Sequence, residues 1–339
     1  MTFTFGMIGA STIGSEALLE PASRRNDVRV VRVAALRPGA ADEYAQKWGV
    51  SDASSDYDEV LADTRIDAVY VSNAAADHAR WGIAALGAGK HVLCEKPIAV
   101  TGDEARAIRD AAIAADRIVM EGFHYRFHPL FLELQRLVAS ERFGILRSVQ
   151  TVINGARAYD PTSILHVREL GGGALLHNGV YGIHWTRLLF DAEPISLRAA
   201  QRANPSGADS DTSAEFEFTG GRVASLHCSF DRTDPVSLIL HFEGADAVVS
   251  GPIGPHHGHS LRIDPVKESS VVVTFEGRTS FDYQLEEFTS RVEQNLPGGG
   301  RGDDILANAL AIDAVRLAAE SGRPQTVLGS TSRSNTKEF

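Results

Sequence analysis

Along the first 120 residues, short apolar runs alternate with stretches whose apolar residues recur at helical spacing. Runs at 3–8, 28–36, 68–72, 91–94 and 117–121 predict strands, and the segments 13–23, 40–48, 56–62, 77–88 and 102–115 predict helices. Strands separated by helices of this length predict right-handed βαβ units and a parallel sheet covered on both faces. The pattern then changes. Residues 128–140 predict a helix with Leu130, Leu134, Leu137 and Val138 on one face, and 145–154 predict a strand. Glycines 171–173 open a helical stretch that runs to 190. Strands dominate afterwards, at 197–201, 213–218, 222–229, 236–243, 247–250 and 270–275, so a large, mostly antiparallel sheet is expected. Helical patterns at 283–295 and 303–321 close the chain. The segments 204–211, 251–259 and 297–302 predict loops.

Length and composition narrow this picture. A chain of 339 residues exceeds what one core usually supports, so two domains are expected, 1–121 and 122–339, both of the α/β class. The net charge of −11 argues against nucleic acid and anionic membrane surfaces as partners, and leaves small molecules open. Only Cys94 and Cys228 occur, and Cys94 lies in an apolar run, so a disulfide framework is not expected. The start lacks the basic and apolar regions of a signal peptide, and no apolar run spans a bilayer. The expectation is a cytoplasmic protein.

The sequence "FGMIGASTIG" holds G-x-S-x-x-G at Gly9, Ser11 and Gly14, directly after the first strand and opening a helix. This is the position of the dinucleotide fingerprint of a Rossmann domain, with serine at the second glycine. Gly9 allows a tight turn, Gly14 allows close packing, and the N–H groups around Thr12 and Ile13 face a pyrophosphate. Ser11 adds a hydroxyl donor. Ser72 and Asn73, ending the next predicted strand, and His78 join this candidate cofactor set. No acid stands about 20 residues on, where one would bind a ribose 2′-OH; the place reads Ala35-Leu36-Arg37-Pro38. Arg37 fits a 2′-phosphate, so NADP(H) is favoured and NAD(H) remains open.

Lys96 follows the fifth strand, at the carboxyl end where open α/β sheets bind ligands. A lysine there can exchange a proton with a substrate oxygen if its pKa is lowered from about 10.4. It can equally be a surface lysine leaving a strand. Glu95 can orient Lys96 or touch the nicotinamide ribose. His177, Tyr181 and His184 stand at i, i+4 and i+7 and would share one face of a helix. Filling of a core edge is the alternative reading for these rings.

At this point the chain resembles the glucose–fructose oxidoreductase/inositol dehydrogenase (Gfo/Idh/MocA) family. "AGKHVLCEKPIA" (88–99) is similar to the family signature. "EGFHYRFHP" (121–129) resembles the start of the second domain in the dihydrodiol and xylose dehydrogenase branch. "GGGALLHNGVYGIHW" (171–185) and "DDILANALAIDAVRLAAESGR" (303–323) resemble later family segments. The resemblance implies that Lys96 is catalytic and that Pro97 follows a cis peptide. It implies that Tyr181 is the acid/base at the substrate oxygen. His177 stands where relatives carry aspartate, and a histidine could serve as its proton partner. The open face of the second sheet would be the oligomer surface of a homodimer or homotetramer.

The remaining residues carry plainer alternatives. Tyr125 and Arg126 can line a substrate cleft, with His128 capping the helix that follows. Arg168 can contact a hydroxylated substrate or form a salt bridge. His256, His257 and His259 keep no ligand spacing with an acid or cysteine, so no metal is expected. Arg301-Gly302-Asp303 reads as a loop and N-cap. The expected function is hydride transfer between NAD(P)(H) and a sugar, cyclic polyol or dihydrodiol-type alcohol. The alternative is a non-catalytic NAD(P)-binding regulator of the same fold.

Overall fold

Six parallel strands form the first sheet of the computed structural model, which describes residues 2–296 and 303–327. They are β1 (Phe3–Ile8), β2 (Val28–Ala34), β3 (Asp52–Ser54), β4 (Ala68–Val71), β5 (His91–Cys94) and β6 (Val119–Glu121), in the order β3-β2-β1-β4-β5-β6. All four residues of β4 are buried, as are Val92, Leu93 and Cys94 of β5. Such runs suit strands covered on both faces. The order reverses direction between β1 and β4, which opens a crevice at the carboxyl ends there. β3 was not expected from sequence. Its three residues, Asp-Ala-Ser, are only partly buried and carry no apolar run.

The described residues of Met1–Phe127 and Arg278–Leu306 form one unit, and those of His128–Gly277 and Ala307–Phe339 the other. The first unit therefore takes in a segment far beyond residue 121. Helix Ser280–Gln294 is capped by Thr279 and Asp282, each side chain meeting the other's backbone N–H. It buries Phe281, Leu285 and Phe288 at i, i+4 and i+7 in the core that holds Phe5, Met7 and Leu18. Phe288 lies 5.7 Å from Phe5, centroid to centroid. Arg24 Nε donates to Asp282 at 2.9 Å and Arg25 Nη1 to Thr289 at 3.1 Å, which fixes the helix register.

The second unit is built on eight strands. β7 (Leu146–Asn154), β8 (Ser196–Ala203), β9 (Asp209–Glu217), β10 (Val223–Ser229), β11 (Ser237–Phe242), β12 (Ala245–Ser250), β13 (Ser260–Pro265) and β14 (Val271–Val273) take the order β14-β13-β12-β11-β7-β10-β9-β8. Every neighbouring pair is antiparallel except β7 with β10. β13 lies where no strand was expected, directly after the predicted 251–259 loop. Helix Val180–Phe190 packs on β7 and β10 and has every residue buried. Helix Pro129–Ala139 is capped by His128, whose Nδ1 accepts the N–H of Leu130. The predicted loop 297–302, with Arg301 and Gly302, lies outside the described residues. No helix among the described residues is long and apolar enough to cross a membrane. Cys94 and Cys228 are buried free thiols.

Candidate active site

The chain turns sharply after β1, where Gly9 has φ +104°. A Cβ at Gly9 would come within 2.8 Å of the Asn73 nitrogen and the Ser72 carbonyl carbon. No side chain fits between the ends of β1 and β4, so glycine is required. Ser11 then caps the helical run 12–23: its Oγ accepts the Gly14 N–H at 3.0 Å and donates to Ser72 Oγ at 2.8 Å. Tyr44 Oη donates to the Ser11 carbonyl at 3.0 Å. The serine hydroxyl thus works inside the cradle, while Thr12 is exposed and Ile13 half-buried at the helix opening. The run widens to a π turn at Ser15–Leu19, just before Pro21. Proline supplies no N–H and its ring crowds the carbonyl four residues back, and a wider turn relieves both.

These residues fit a dinucleotide on an observation beyond the motif. The Asn73 carboxamide oxygen is buried with no hydrogen-bond partner among the described residues, beside the Gly9 turn. A bound group with N–H or O–H donors would satisfy it. Arg37 lies in the loop after β2 and is mostly exposed, with Nη2 3.4 Å from Glu43 Oε2.

Just beyond β5, Lys96 is the one residue from Glu95 to Ala99 that is not buried. Glu95 is buried; its Oε1 accepts Tyr70 Oη at 2.7 Å and its Oε2 accepts the Lys96 N–H at 3.3 Å. Burial pushes the Glu95 carboxyl up, against the Tyr70 hydrogen bond and the Lys96 charge, and pushes the Tyr70 hydroxyl up as well. Lys96 is partly buried between buried Glu95 and buried Pro97, and the Lys96–Pro97 bond is cis. His78 is buried. Its Nδ1 lies 2.8 Å from the Pro97 carbonyl and its Nε2 3.1 Å from the Asn73 carbonyl. It joins the loops after β4 and β5 from inside the fold, and burial lowers its pKa. Tyr125 is buried, 6.0 Å from Phe123, and Arg126 pairs with Asp304 at 3.2 Å. His124 Nδ1 lies 2.8 Å from Ser280 Oγ.

In the second unit the structure departs from one regular helix. Leu175–Gly179 forms a π turn and the α-helix begins at Val180. The even i, i+4 spacing expected between His177 and Tyr181 is therefore broken at the first turn, since a π turn takes more residues per revolution. His177 is half-buried near Phe230, with centroids 6.3 Å apart. Tyr181 is buried, 6.0 Å from Trp185, and His184 is buried too. Arg168 is exposed and lies 3.5 Å from Glu320. His166, which sequence did not single out, packs edge-on to Phe230 at 5.6 Å. Both nitrogens of His259 serve the backbone, Nδ1 at Pro255 O and Nε2 at the Phe275 N–H.

Residues 3–123 match the oxidoreductase family with the NAD-binding Rossmann fold, and residues 131–250 match the C-terminal domain of the same family. The chain belongs to the Gfo/Idh/MocA oxidoreductase family. It is 30% identical to trans-1,2-dihydrobenzene-1,2-diol dehydrogenase of Danio rerio over 280 residues, 80% of this chain and 83% of that one. It is 27% identical to D-xylose 1-dehydrogenase (NADP(+)) 2 of Haloferax volcanii over 94% of this chain and 98% of that one. The crystal structure of aldose-aldose oxidoreductase from Caulobacter crescentus, complexed with glycerol, shares the fold. It has a TM-score of 0.88 at 22% identity over 96% of this chain and 100% of that one. As a member of this family the chain is an NAD(P)-dependent oxidoreductase acting on CH–OH groups.

Proposed function

We propose that the protein oxidises a hydroxyl of a sugar or cyclic polyol, or reduces the matching carbonyl, with NADP(H) favoured over NAD(H). The observation that carries this is Lys96: a partly buried lysine at the carboxyl end of β5, between a buried carboxylate and a buried proline. Likeness to a D-xylose dehydrogenase supports a sugar, and likeness to a dihydrodiol dehydrogenase supports a cyclic diol. The bound nicotinamide supplies or accepts the hydride. Gly9, Ser11, Thr12, Ile13, Gly14, Ser72 and Asn73 would hold its dinucleotide, His78 and Glu95 would support the loops around it, and Arg37 would face the 2′-phosphate. Lys96 and Tyr181 handle the hydroxyl proton, and His177 relays it, taking the part that aspartate plays in relatives. Tyr125, Arg126 and Arg168 are proposed to face the substrate. Among them, Arg126 and Arg168 keep part of their surface accessible.

The protein would work in the cytoplasm as a homodimer or homotetramer joined through the eight-stranded sheet. That sheet carries helix Val180–Phe190 on one face, and Gln150, Arg198, Glu215 and Ser225 line an open depression on its surface. The test is a panel of aldoses, cyclic polyols and dihydrodiols with NADP and NAD, followed by absorbance of the reduced cofactor. Turnover of at least one sugar or polyol, faster with NADP, is the expected result. Binding of NADPH without turnover on any member would overturn the substrate class.

A further inference from the structure

We propose that Asp209 is a positioning residue for the reaction, holding the first turn of the helix that carries His177 and Tyr181. The inference rests on the reading that these two side chains serve the hydride transfer.

Asp209 opens β9, 34 residues after the Leu175 it touches. Its Oδ2 accepts the Leu175 N–H at 2.7 Å and the Thr212 hydroxyl at 2.8 Å. Leu175 is the first residue of the π turn, where a helix N–H has no carbonyl of its own helix to meet. The carboxylate therefore fills that vacancy from a rigid strand. The backbone just before it is shaped around the same group. Gly173 has φ +129°, and a Cβ there would lie 2.1 Å from Asp209 Oδ1. The carboxylate thus occupies the space a side chain at 173 would need. The Gly173 carbonyl in turn accepts the His177 N–H at 3.1 Å. Strand β9 is thus hydrogen-bonded to the π turn at Leu175, and Gly173, packed against the same carboxylate, accepts the N–H of His177 in that turn. A negative group at a helix start is favourable, and a charge-assisted bond is shorter and stronger than a neutral one. Burial pushes the Asp209 carboxyl up, while Thr212, the Leu175 N–H and the charge of Arg316 oppose that shift. Thr212 is itself buried, so the linkage lies inside the unit.

A misplacement of about 1 Å in reacting groups can cost on the order of a hundredfold in rate. The test uses the full chain with NADP and D-xylose, or the panel sugar that the wild type turns over best. Asp209→Ala should lower kcat about tenfold to a hundredfold, leaving NADPH affinity within about twofold. Asp209→Asn keeps an oxygen acceptor for Leu175 and Thr212 and should recover kcat to within about threefold of wild type. Gly173→Ala, which displaces the carboxylate without removing it, should repeat the loss, and it carries the test if Asp209→Ala does not fold. A purely structural brace would lower the melting temperature of Asp209→Ala and leave kcat within about twofold, and that outcome overturns the proposal. Equal losses in Asp209→Ala and Asp209→Asn overturn the acceptor role. Failure of the underlying reading looks different: Tyr181→Phe would keep wild-type kcat.

Discussion

The Nδ1 atom of His78 lies 2.8 Å from the carbonyl oxygen of Pro97, one residue past Lys96. Its other ring nitrogen faces Asn73, in the loop beside Gly9. One buried imidazole thus ties the loop after β4, which lies against the Gly9 turn, to the loop that presents the lysine. A neutral ring has one N–H for two carbonyls, and burial opposes the charged ring that would satisfy both.

Replacing His78 by Leu should destabilise the first unit by roughly 1–3 kcal/mol, the cost of leaving a buried carbonyl without its donor. Turnover should fall in parallel, because the Lys96 loop loses its anchor. Thermal melts and steady-state rates check this, and a variant that melts and turns over like the wild type would refute the tie.

Lys96→Met should leave NADPH binding near wild type and lower kcat by roughly 10²–10⁴-fold, the usual contribution of a positioned proton donor. Fluorescence titration of NADPH separates the two effects. A rate within a few-fold of wild type would remove Lys96 from the chemistry.

Arg37 is mostly exposed and only loosely paired with Glu43. Arg37→Ala should weaken NADPH by roughly 1.5–3 kcal/mol, the range for a hydrogen bond to a charged group, and leave NADH nearly unchanged. Equal losses for both cofactors would mean that Arg37 does not read the 2′-phosphate.

Two histidines besides buried His78 contribute to sensitivity to acid. His91 Nδ1 accepts the Ile118 N–H at 3.0 Å, and His128 Nδ1 accepts that of Leu130 at 3.1 Å. Burial is the main cause that lowers both to about 4. Unfolded histidine titrates near 6.5. Below about 6.5 the unfolded chain therefore binds protons that the native chain refuses, so these two groups lose stability as pH falls toward 4. Glu95 and Asp209, whose carboxyls are raised, act in the opposite direction. The double variant His91→Asn/His128→Asn should show a shallower fall in urea midpoint between pH 7 and 4.5. An unchanged slope would exclude these histidines as the cause.

What could be read from the sequence was local. The Gly9–Gly14 turn, the Lys96 strand end and the helix Gly102–Ala115 each announce themselves within a dozen residues, because turn chemistry and periodicity act over that range. The His128 cap was also legible, since a proline after a polar residue marks a helix start. Strand β3 was not, because Asp-Ala-Ser becomes a strand only by pairing with β2. Neither π turn was expected: Pro21 is the local sign of the first, and no residue pattern marks the second. Asp209 gave no signal either. Its meaning depends on a glycine 36 positions earlier, and only the folded sheet brings the two together.

The helix Ser280–Gln294 sets the order in which the chain can mature. Phe288 completes the aromatic cluster over Phe3 and Phe5, yet nearly the whole second unit is synthesised between them. At roughly 5–20 residues per second, a ribosome leaves that apolar surface uncovered for tens of seconds. The nucleotide-binding half emerges first, yet it is completed only after most of the second unit has been made. In a growing chain, Phe3 and Phe5 lack the cover of Phe288 until that residue arrives.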